Sequence, residues 1–384
     1  MSSRRRAILA LGLGLGAIVV TAGILAYPRL QEQWTQPLGP SLDLPTITPT
    51  EAIVEATATP VALAQVDSQA TIPPADTGIP PSQTPAPTAT PEPLCGGPPT
   101  MTILGVGADS RGDTYLYGLA DVIRVARVDF VTPKITVLSI PRDIWVEIPE
   151  IADHYDITHG KLNQSYLYGG EGLGYYDGPG FGPGLLARTL DQNFGLRVDH
   201  YGAVNMTTFE RIVDAVGGID IYLPEPVDGR PIDDQTEDMG FFRAGQHHFN
   251  GNQALRFSRI RKKYNDFTRM SNQNMVLCAL REKVLSPAVL PDIPEIILAF
   301  QDNVQTDLSL EQLSQLACLA PQVESEDLIF TGVPDDLLEA IRPYSPQLKD
   351  TTFAYSVDPE EFRQFMADFQ SGAWPTQPDE PSCQ

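Results

Sequence analysis

Hydrophobic and polar residues alternate with two different periods along the central and C-terminal parts of the chain. Apolar, β-branched runs bounded by turn residues are typical of strands, whereas leucine and valine at intervals of three and four residues are typical of helices. The predicted strands are 101–109, 121–130, 134–143, YGAVNM and GIDIYL, and the predicted helices are 182–195, 207–218, 268–285 and 309–320. This order predicts an α/β sandwich in which helices cover the faces of a mixed sheet.

The amino terminus has a different pattern, because residues 7–27 form an uncharged apolar run of about 21 residues. At about 1.5 Å per helical residue, this run is long enough to cross a bilayer core of about 30 Å. Arginines at positions 4 to 6 precede it, which predicts a cytoplasmic tail at 1–6 and an extracellular remainder. The alternative is a cleaved signal peptide, but such apolar stretches are usually about 7–15 residues long and end at small residues.

Residues 28–94 are rich in Pro, Thr, Ala and Ser and hold 14 of the 35 prolines of the chain. A segment with so few aromatic residues cannot bury enough apolar surface to fold alone. We therefore predict a disordered, partly extended linker between the anchor and a folded region that begins near Cys95.

Charge and cysteine content narrow the function classes. The 384-residue chain has 49 acidic and 26 basic residues, a net charge of −23, so general nucleic-acid binding is disfavoured. Four cysteines lie in the predicted exported region, where disulfides form, and their spacing fits no zinc motif. Three pairings are possible; we expect Cys95 with Cys383 and Cys278 with Cys318, because the first two bracket the domain.

One short stretch reverses the acidic balance: RFSRIRKKYNDFTR, residues 256–269, has six basic residues and one acid. If it is a strand, Arg259 and Arg261 point to the same side, since alternate residues share a face. Two guanidinium groups on one face suit a pyrophosphate, because each can donate two parallel hydrogen bonds. The alternative is a solvated basic edge strand that prevents aggregation.

Polar residues also follow or open the predicted strands. Asp109 and Arg111 follow the first strand, Asp121 opens the second, and Arg142 and Asp143 follow the third. Strand ends of α/β sheets are common ligand sites, and carboxylates there suit a hard metal ion. Each residue alone could equally form a turn or a surface ion pair.

Six longer motifs follow one another along the chain. In order, they are ILGVGADSR, ADVIRVARVD, ITVLSIPRD, KLNQSYLYGG, FERIVDAVGGIDIYLP and GNQALRFSRIRKKYNDFTR. Over residues 101–285 this combination resembles the LytR-CpsA-Psr (LCP) family of extracellular cell-wall enzymes. The resemblance implies an α-β-α sandwich that transfers a polyprenyl-pyrophosphate-linked glycopolymer to a peptidoglycan hydroxyl and releases polyprenyl phosphate. It also implies a single-pass anchor in the cell membrane, with the catalytic domain outside.

The resemblance further implies roles for individual residues. Asp109 and Asp121 would hold Mg²⁺ or Mn²⁺, and Asp266 would orient an arginine or act as general base. The residues that would bind the pyrophosphate are Arg111, Arg142, Arg259, Arg261, Arg269 and Gln273, of which Arg142, Arg259 and Arg261 would also be catalytic. Asn272 departs from the family pattern, which commonly has an arginine before this glutamine.

The family pattern ends near residue 285, so we predict a catalytic domain at 95–285 and a mostly helical extension packed on it at 286–384. Two segments, 169–184 and 225–246, are predicted to be loops near the site, although ordinary surface loops would look the same. Two other functions remain open. A phosphatase would use the same residues with water as acceptor, and a non-catalytic lipid- or glycan-binding protein would keep the arginines without turnover. A transcriptional regulator conflicts with an acidic extracellular domain.

Overall fold

The structure of the chain is a computed structural model that describes residues 32, 34–44, 91–112, 114–154, 156–234, 237–260, 266–293, 296, 300, 303–345, 347–376 and 383. The predicted tail at 1–6 and the predicted membrane anchor at 7–27 lie outside these residues. Within them, no helix combines the length and the apolar character needed to cross a membrane. One unit of the chain contains residues 1–44 and 92–384, and the second is Pro45–Pro91, nearly all of it outside the described residues.

The strands and helices match the predicted order, with most boundaries within a few residues of the prediction. The strands are β1 (Thr100–Ala108), β2 (Ala120–Asp129), β3 (Lys134–Ser139), β4 (Trp145–Glu147), β5 (His159–Lys161), β6 (His200–Asn205), β7 (Ile219–Leu223), β8 (Val227–Asp228), β9 (Phe241–Phe242), β10 (Gly245–Phe249), β11 (Gln305–Thr306), β12 (Leu328–Gly332), β13 (Glu339–Ile341), β14 (Tyr344–Ser345), β15 (Asp350–Thr351) and β16 (Ala354–Ser356). The α-helices among the described residues are α1 (Leu162–Gly169), α2 (Phe181–Phe194), α3 (Met206–Ala215), α4 (Gly251–Ser258), α5 (Asp266–Val284), α6 (Leu310–Leu319) and α7 (Pro359–Ser371).

Six strands form the central sheet in the order β11, β6, β1, β2, β3, β12. The consecutive strands β1, β2 and β3 pair antiparallel, as short connections require. β6 joins β1, and β12 joins β3, in parallel. The mixed α/β fold with a central mixed sheet is therefore confirmed. β11 and β12 come from beyond residue 285, so the sheet extends past the boundary that the sequence predicted for the catalytic domain.

The two faces of the sheet differ in what covers them. On one face, alternate residues of β1, Leu104 and Val106, join a fully buried core with α1, α2 and α7. On the other face lie α3, α4 and α5 with the ribbon of β7 and β10, which form a second apolar cluster around Phe249 and Phe257. On this second face, β1 contributes Ile103, Gly105 and Gly107. Because two of these residues have no side chain, a space remains between the sheet and the helices.

Part of the predicted linker packs on the folded unit. Leu42 is buried in the first core, and the backbone N–H of Leu38 donates to the carbonyl of Leu308 at 3.2 Å. The hydroxyl of Tyr201 donates to the carbonyl of Pro40 at 3.0 Å. Residues 34–44 therefore differ from the prediction of a linker that is disordered from residue 28 onward.

The four cysteines are all paired, but the predicted pairing is wrong. The bonds are Cys95–Cys318 and Cys278–Cys383. The segment around Cys95 lies against α6 in a third apolar cluster, which places this cysteine beside Cys318. That contact depends on tertiary packing between distant segments, so proximity to the ends of the domain was a poor guide.

Candidate functional site

Three neighbouring strand ends bring the predicted metal ligands and one predicted arginine together. Ala108 at the end of β1 lies opposite Ala120 at the start of β2, so Asp109 and Asp121 extend from adjoining chain ends. β3 runs beside β2. From the segment that follows β3, Nη1 of Arg142 pairs with Oδ1 of Asp121. We call Asp109, Asp121 and Arg142 the strand-end cluster.

The carboxylate of Asp109 is the member of this cluster with a raised pKa. Burial raises its pKa above the ordinary value of an aspartate, and the nearby charge of Asp121 raises it further. Two effects act in the opposite direction, which are a hydrogen bond from the N–H of Leu119 to Oδ1 at 2.7 Å and the positive charge of Arg142. The pKa stays raised because burial, together with the charge of Asp121, outweighs these two effects.

These two carboxylates fit a magnesium or manganese ion that is shared with a substrate. Mg²⁺ in phosphate sites usually takes one or two protein carboxylates and completes its shell with water and phosphate oxygens. No group of three or more His, Cys, Asp or Glu that could hold a metal is present in the described part of the chain. Asp109 and Asp121 supply two carboxylates, the number that such an ion commonly takes from a protein.

The raised pKa of Asp109 predicts that Asp109→Asn stabilises the metal-free protein at neutral pH. As pH rises, the unfolded chain loses the Asp109 proton at a lower pH than the folded chain does, so ionisation there disfavours folding. Asparagine removes this cost and keeps an Oδ1 acceptor for Leu119. The melting temperature with chelator should be higher than that of the wild type at pH 7, and the difference should vanish at acidic pH. A variant that melts lower at every pH would contradict this assignment.

Arg142 is oriented by acidic partners on two sides. Besides Asp121, its Nε lies 3.5 Å from Oδ2 of Asp143, whose Oδ1 accepts a hydrogen bond from Nζ of Lys161 at 2.8 Å. The side chains of Arg142 and Asp143 are only about one-sixth exposed, at 15% and 16%. Such a chain of charges fixes the direction of the guanidinium group before any ligand binds.

Two more of the predicted arginines converge on one carboxylate. Nη2 of Arg259 lies 3.0 Å from Oε2 of Glu237, and Nη2 of Arg111 lies 3.5 Å from Oε1 of the same residue. Each oxygen of Glu237 thus pairs with one arginine, as two oxygens of a phosphate group would. Glu237 thereby shows that Arg111 and Arg259 can share one anionic ligand.

Because Glu237 competes with any anion for these arginines, Glu237→Gln should bind pyrophosphate more tightly. Removal of one nearby negative charge at a partly exposed site is worth about 1 kcal/mol, or about fivefold in affinity. Calorimetry with inorganic pyrophosphate and Mg²⁺ would measure the change. Asp238→Asn is the matched control, since Asp238 uses its Oδ1 to accept the N–H of Gly240 at 2.8 Å. Equal tightening in both variants would mean that only net charge matters.

The basic stretch RFSRIRKKYNDFTR begins in a helix, so the strand predicted there is wrong. Asn250 and Gln253 form a capping box at the start of α4, and the helix ends at Ser258 with Arg259 as its C-cap. Phe257 and other apolar residues at helical spacing are buried in the second cluster. Hence Arg259 reaches the site from a helix end. Arg261 lies outside the described residues, as does the side chain of Asp266, the first residue of α5.

α5 contributes the last two predicted ligands. Arg269 and Gln273 are one turn apart, and both line the same cavity as Arg259. Nε2 of Gln273 donates to the carbonyl of Ser258 at 3.3 Å, which connects α5 to the end of α4. Asn272 is 2% exposed and its Nδ2 donates to the carbonyl of Phe257 at 3.4 Å. Asn272, the residue that departs from the family pattern, is therefore packed between α4 and α5.

The motifs do not identify three residues near the site, namely Arg124, Lys161 and Glu237. Arg124 lies within β2. Its Nη1 donates to Oδ1 of Asn274 at 2.7 Å, and its Nη2 donates to Oε1 of Gln273 at 3.2 Å. A charged residue in the middle of the β-branched run DVIRVARVDF was an available signal. Lys161 and Glu237 had no comparable signal, because their roles depend on contacts between distant segments.

An apolar cavity of about 630 Å³ opens beside the strand-end cluster, between the sheet and helices α3, α4 and α5. Asp121, Glu237 and Arg259 are charged lining residues with partly exposed side chains, and we call them the mouth of the cavity; the rest of the lining is mostly aliphatic. The sheet contributes Ile103, Gly105, Gly107, Val122, Ala126, Val137, Gly202 and Val204, and the helices contribute Met206, Phe209, Leu255, Val276 and Leu277. The small residues on β1, β2 and β6 leave this space open. A cavity of this size and lining suits the hydrocarbon tail of an amphiphile.

The two predicted loop segments have different positions. Segment 225–246 contains β8, β9 and the start of β10, and Asp228, Arg230 and Glu237 from it line the cavity. In segment 169–184, the N–H of Gly172 donates to the carbonyl of Leu116 at 3.2 Å, and its last residues begin α2. The described residues of segment 169–184 are not among those that line this cavity.

Fold and site together define an α/β sandwich protein with an apolar cavity whose lining also includes Asp121, Arg259 and Arg269. Comparison with known families agrees with the motifs, because the family model of the LytR_cpsA_psr family matches residues 95–367. The chain belongs to this family.

Individual relatives support the same assignment. The chain is 30% identical over 245 residues to the polyisoprenyl-teichoic acid–peptidoglycan teichoic acid transferase TagU of Bacillus cereus (strain AH820). This match covers 60% of this chain and 69% of the relative. It is 28% identical to the regulatory protein MsrR of Staphylococcus aureus (strain COL), over 54% of this chain and 56% of MsrR, less than two thirds of that relative. The crystal structure of B. subtilis TagV has a TM-score of 0.54 and 22% identity, and the match covers 71% of this chain and 97% of TagV. This last likeness concerns the fold.

Proposed function

We propose that this protein is a phosphotransferase that moves a glycopolymer from a polyprenyl-pyrophosphate carrier to a hydroxyl of peptidoglycan. One observation carries the proposal, namely that Asp121, Arg259 and Arg269 line the apolar cavity and that Asp121 pairs with Arg142. An apolar tail beside a compact double negative charge is the shape of a lipid pyrophosphate. The name of the TagU relative, which describes transfer of teichoic acid to peptidoglycan, supports the choice of reaction.

In the proposed reaction, the acceptor oxygen forms a bond to the sugar-side phosphorus while the bond from that phosphorus to the bridging oxygen breaks. The bridging electron pair leaves with the lipid-side phosphate, and the hydroxyl proton passes to a base, for which Asp266 is the candidate. Arg142, which Asp121 and Asp143 orient, binds an oxygen of the sugar-side phosphate. Arg259 and Arg269 neutralise the charge that grows on the leaving phosphate.

Asp109 and Asp121 would hold Mg²⁺ or Mn²⁺ in this proposal, and the ion would supply charge neutralisation at the pyrophosphate oxygens. Arg111, Arg261 and Gln273 complete the proposed set of phosphate ligands. Of these, Arg111 already shares a carboxylate with Arg259.

We also propose that residues 7–27 anchor the protein in the cell membrane with the catalytic domain outside. The basic tail, the apolar run and the two disulfides support this orientation. Protease added to intact cells should cut between residues 45 and 91 and release a fragment that contains the sheet and helices. Immunoblotting would detect the fragment, with a cytoplasmic protein as the uncut control. A domain that stays uncut while an external marker is degraded would rule out the orientation.

The reaction itself is tested with the purified full chain in detergent, a synthetic polyprenyl-pyrophosphate sugar, peptidoglycan oligomers and Mg²⁺. Mass spectrometry should show the sugar phosphate attached to the oligomer and an equal amount of free polyprenyl phosphate. Release of sugar phosphate without attachment would identify a phosphatase. Donor binding without any product would identify a non-catalytic binding protein.

A further inference from the structure

Arg124 is a buried cation in the wall of the apolar cavity. The residue is 6% exposed, although it lies on β2 between Val122 and Ala126, which line the same cavity. Its guanidinium group reaches across from the sheet to α5 and donates to the side-chain oxygens of Gln273 and Asn274. It also lies over the ring of Phe330, with Cζ 5.7 Å from the ring centroid.

None of these partners is charged, and no carboxylate pairs with Arg124 among the described residues. Burial lowers the pKa of Arg124 to about 10, and the neighbouring charge of Arg269 contributes to this shift. The group therefore stays protonated at neutral pH. A buried charge without a counter-ion is costly to a folded protein. Two cations near each other in one apolar cavity increase this cost and favour an anionic ligand.

The position of Arg124 indicates which part of a ligand it meets. It lies three residues after Asp121 on β2, which is about 10 Å along the strand from the mouth. Beyond it the lining is aliphatic, with Ala126 from the sheet and Val276 and Leu277 from α5. Arg124 therefore lies at the junction between the charged mouth and the apolar interior.

We propose that Arg124 binds the lipid-side phosphate of the donor, the phosphate group that remains on the hydrocarbon tail after transfer. The inference rests on the proposed function, because it takes the occupant of the cavity to be a lipid pyrophosphate. It adds a phosphate ligand at the tail end of the head group, whereas the strand-end cluster lies at the other end. The same contact holds for the prenyl monophosphate product, which carries the same phosphate and tail.

The test compares a short-chain prenyl monophosphate with the matching prenyl alcohol, using the full chain in detergent and calorimetry. Wild type should bind the phosphate more tightly than the alcohol. Arg124→Met should lose about tenfold or more in phosphate affinity, as expected for a lost charge-assisted contact, with the alcohol affinity changed less than about twofold. Arg124→Lys should recover part of the preference. Arg124→Gln, which keeps a donor for Asn274, replaces the methionine variant if that variant does not fold.

Arg127→Met is the matched control on the same strand. Arg127 pairs with Asp129, its Nε donates to the carbonyl of Gln370 at 3.0 Å, and it does not line the cavity. This control should leave both affinities unchanged.

The outcomes separate the inference from the proposed function. If wild type shows no preference for the phosphate, the proposed lipid-pyrophosphate site fails, and the inference fails with it. If wild type prefers the phosphate but Arg124→Met or Arg124→Gln retains the full preference, only the inference fails. A parallel loss of phosphate and alcohol affinity also overturns it, because Arg124 would then support the shape of the cavity without contacting the anion.

Discussion

Gly202→Leu is expected to abolish efficient use of a long-chain lipid donor and to leave the protein folded. Gly202 lies beside Gly105 on the neighbouring strand, and both line the cavity. A Cβ added at Gly202 would meet no atom within 4 Å, so a larger side chain would extend into the space proposed for the tail. If the leucine excludes three or four methylene groups of the donor tail from the cavity, binding of the tail would weaken by about 3 kcal/mol, or about a hundredfold in kcat/KM.

The measurement is kcat/KM for donors with long and short prenyl tails, together with the melting temperature. Gly202→Ala should have a small effect and Gly202→Leu a large one, and the short-tailed donor should be affected less than the long-tailed donor. Gly332→Leu is the control, because Gly332 lies in β12 of the same sheet, outside the cavity lining, and an added Cβ there would meet only the tip of Met270 at 3.6 Å. Equal loss for both tail lengths would show that the tail does not occupy this cavity.

Local sequence patterns were sufficient for most of the fold. The pattern predicts the first strand at 101–109, which is Thr100–Ala108 in the structure, and a helix at 182–195, which is Phe181–Phe194. These elements have a buried face along their whole length, so their periodicity reports the fold directly. The positions of the strand-end aspartates and Arg142 also follow from sequence, because in three consecutive antiparallel strands the ends of β1 and β3 both lie beside the start of β2.

The errors have a common physical cause, which is that distant segments decide the outcome. Alternation of Arg259 and Arg261 resembled a strand, yet the capping box at Asn250 and the burial of Phe257 favour a helix. The disulfide partners of Cys95 and Cys278 follow from the packing of α6 and of the C-terminal segment. No local pattern reports such contacts.

Glu237 illustrates the same point within the site. Its sequence neighbourhood is an acidic, glycine-containing loop, which by itself indicates only a solvated surface. In the fold it lies between Arg111 and Arg259 and pairs with both. Under the proposed function, a donor phosphate that binds both arginines would displace Glu237, so segment 225–246 would affect donor affinity as well as form part of the cavity wall.

Arg259→Lys is expected to lower kcat/KM on a lipid-pyrophosphate donor by about a hundredfold. Arg259 lines the cavity mouth, and its side chain is 27% exposed, so solvent only partly screens its charge. A guanidinium group holds two oxygens in one plane, whereas an ammonium group is a point charge that cannot reproduce this geometry. Loss of such a preorganised contact to a phosphate whose charge grows in the transition state costs about 3 kcal/mol.

Arg256→Lys is the matched control for this prediction, since it makes the same change one turn earlier on α4. Nη2 of Arg256 donates to the carbonyl of Asp238 at 3.2 Å, and Arg256 does not line the cavity. Its replacement should change kcat/KM less than about fivefold, as expected of a charge outside the site. Steady-state kinetics at two ionic strengths would measure both variants. If the two losses are equal and both shrink at high salt, the basic stretch attracts anions only through its net charge, and Arg259 is not a phosphate ligand.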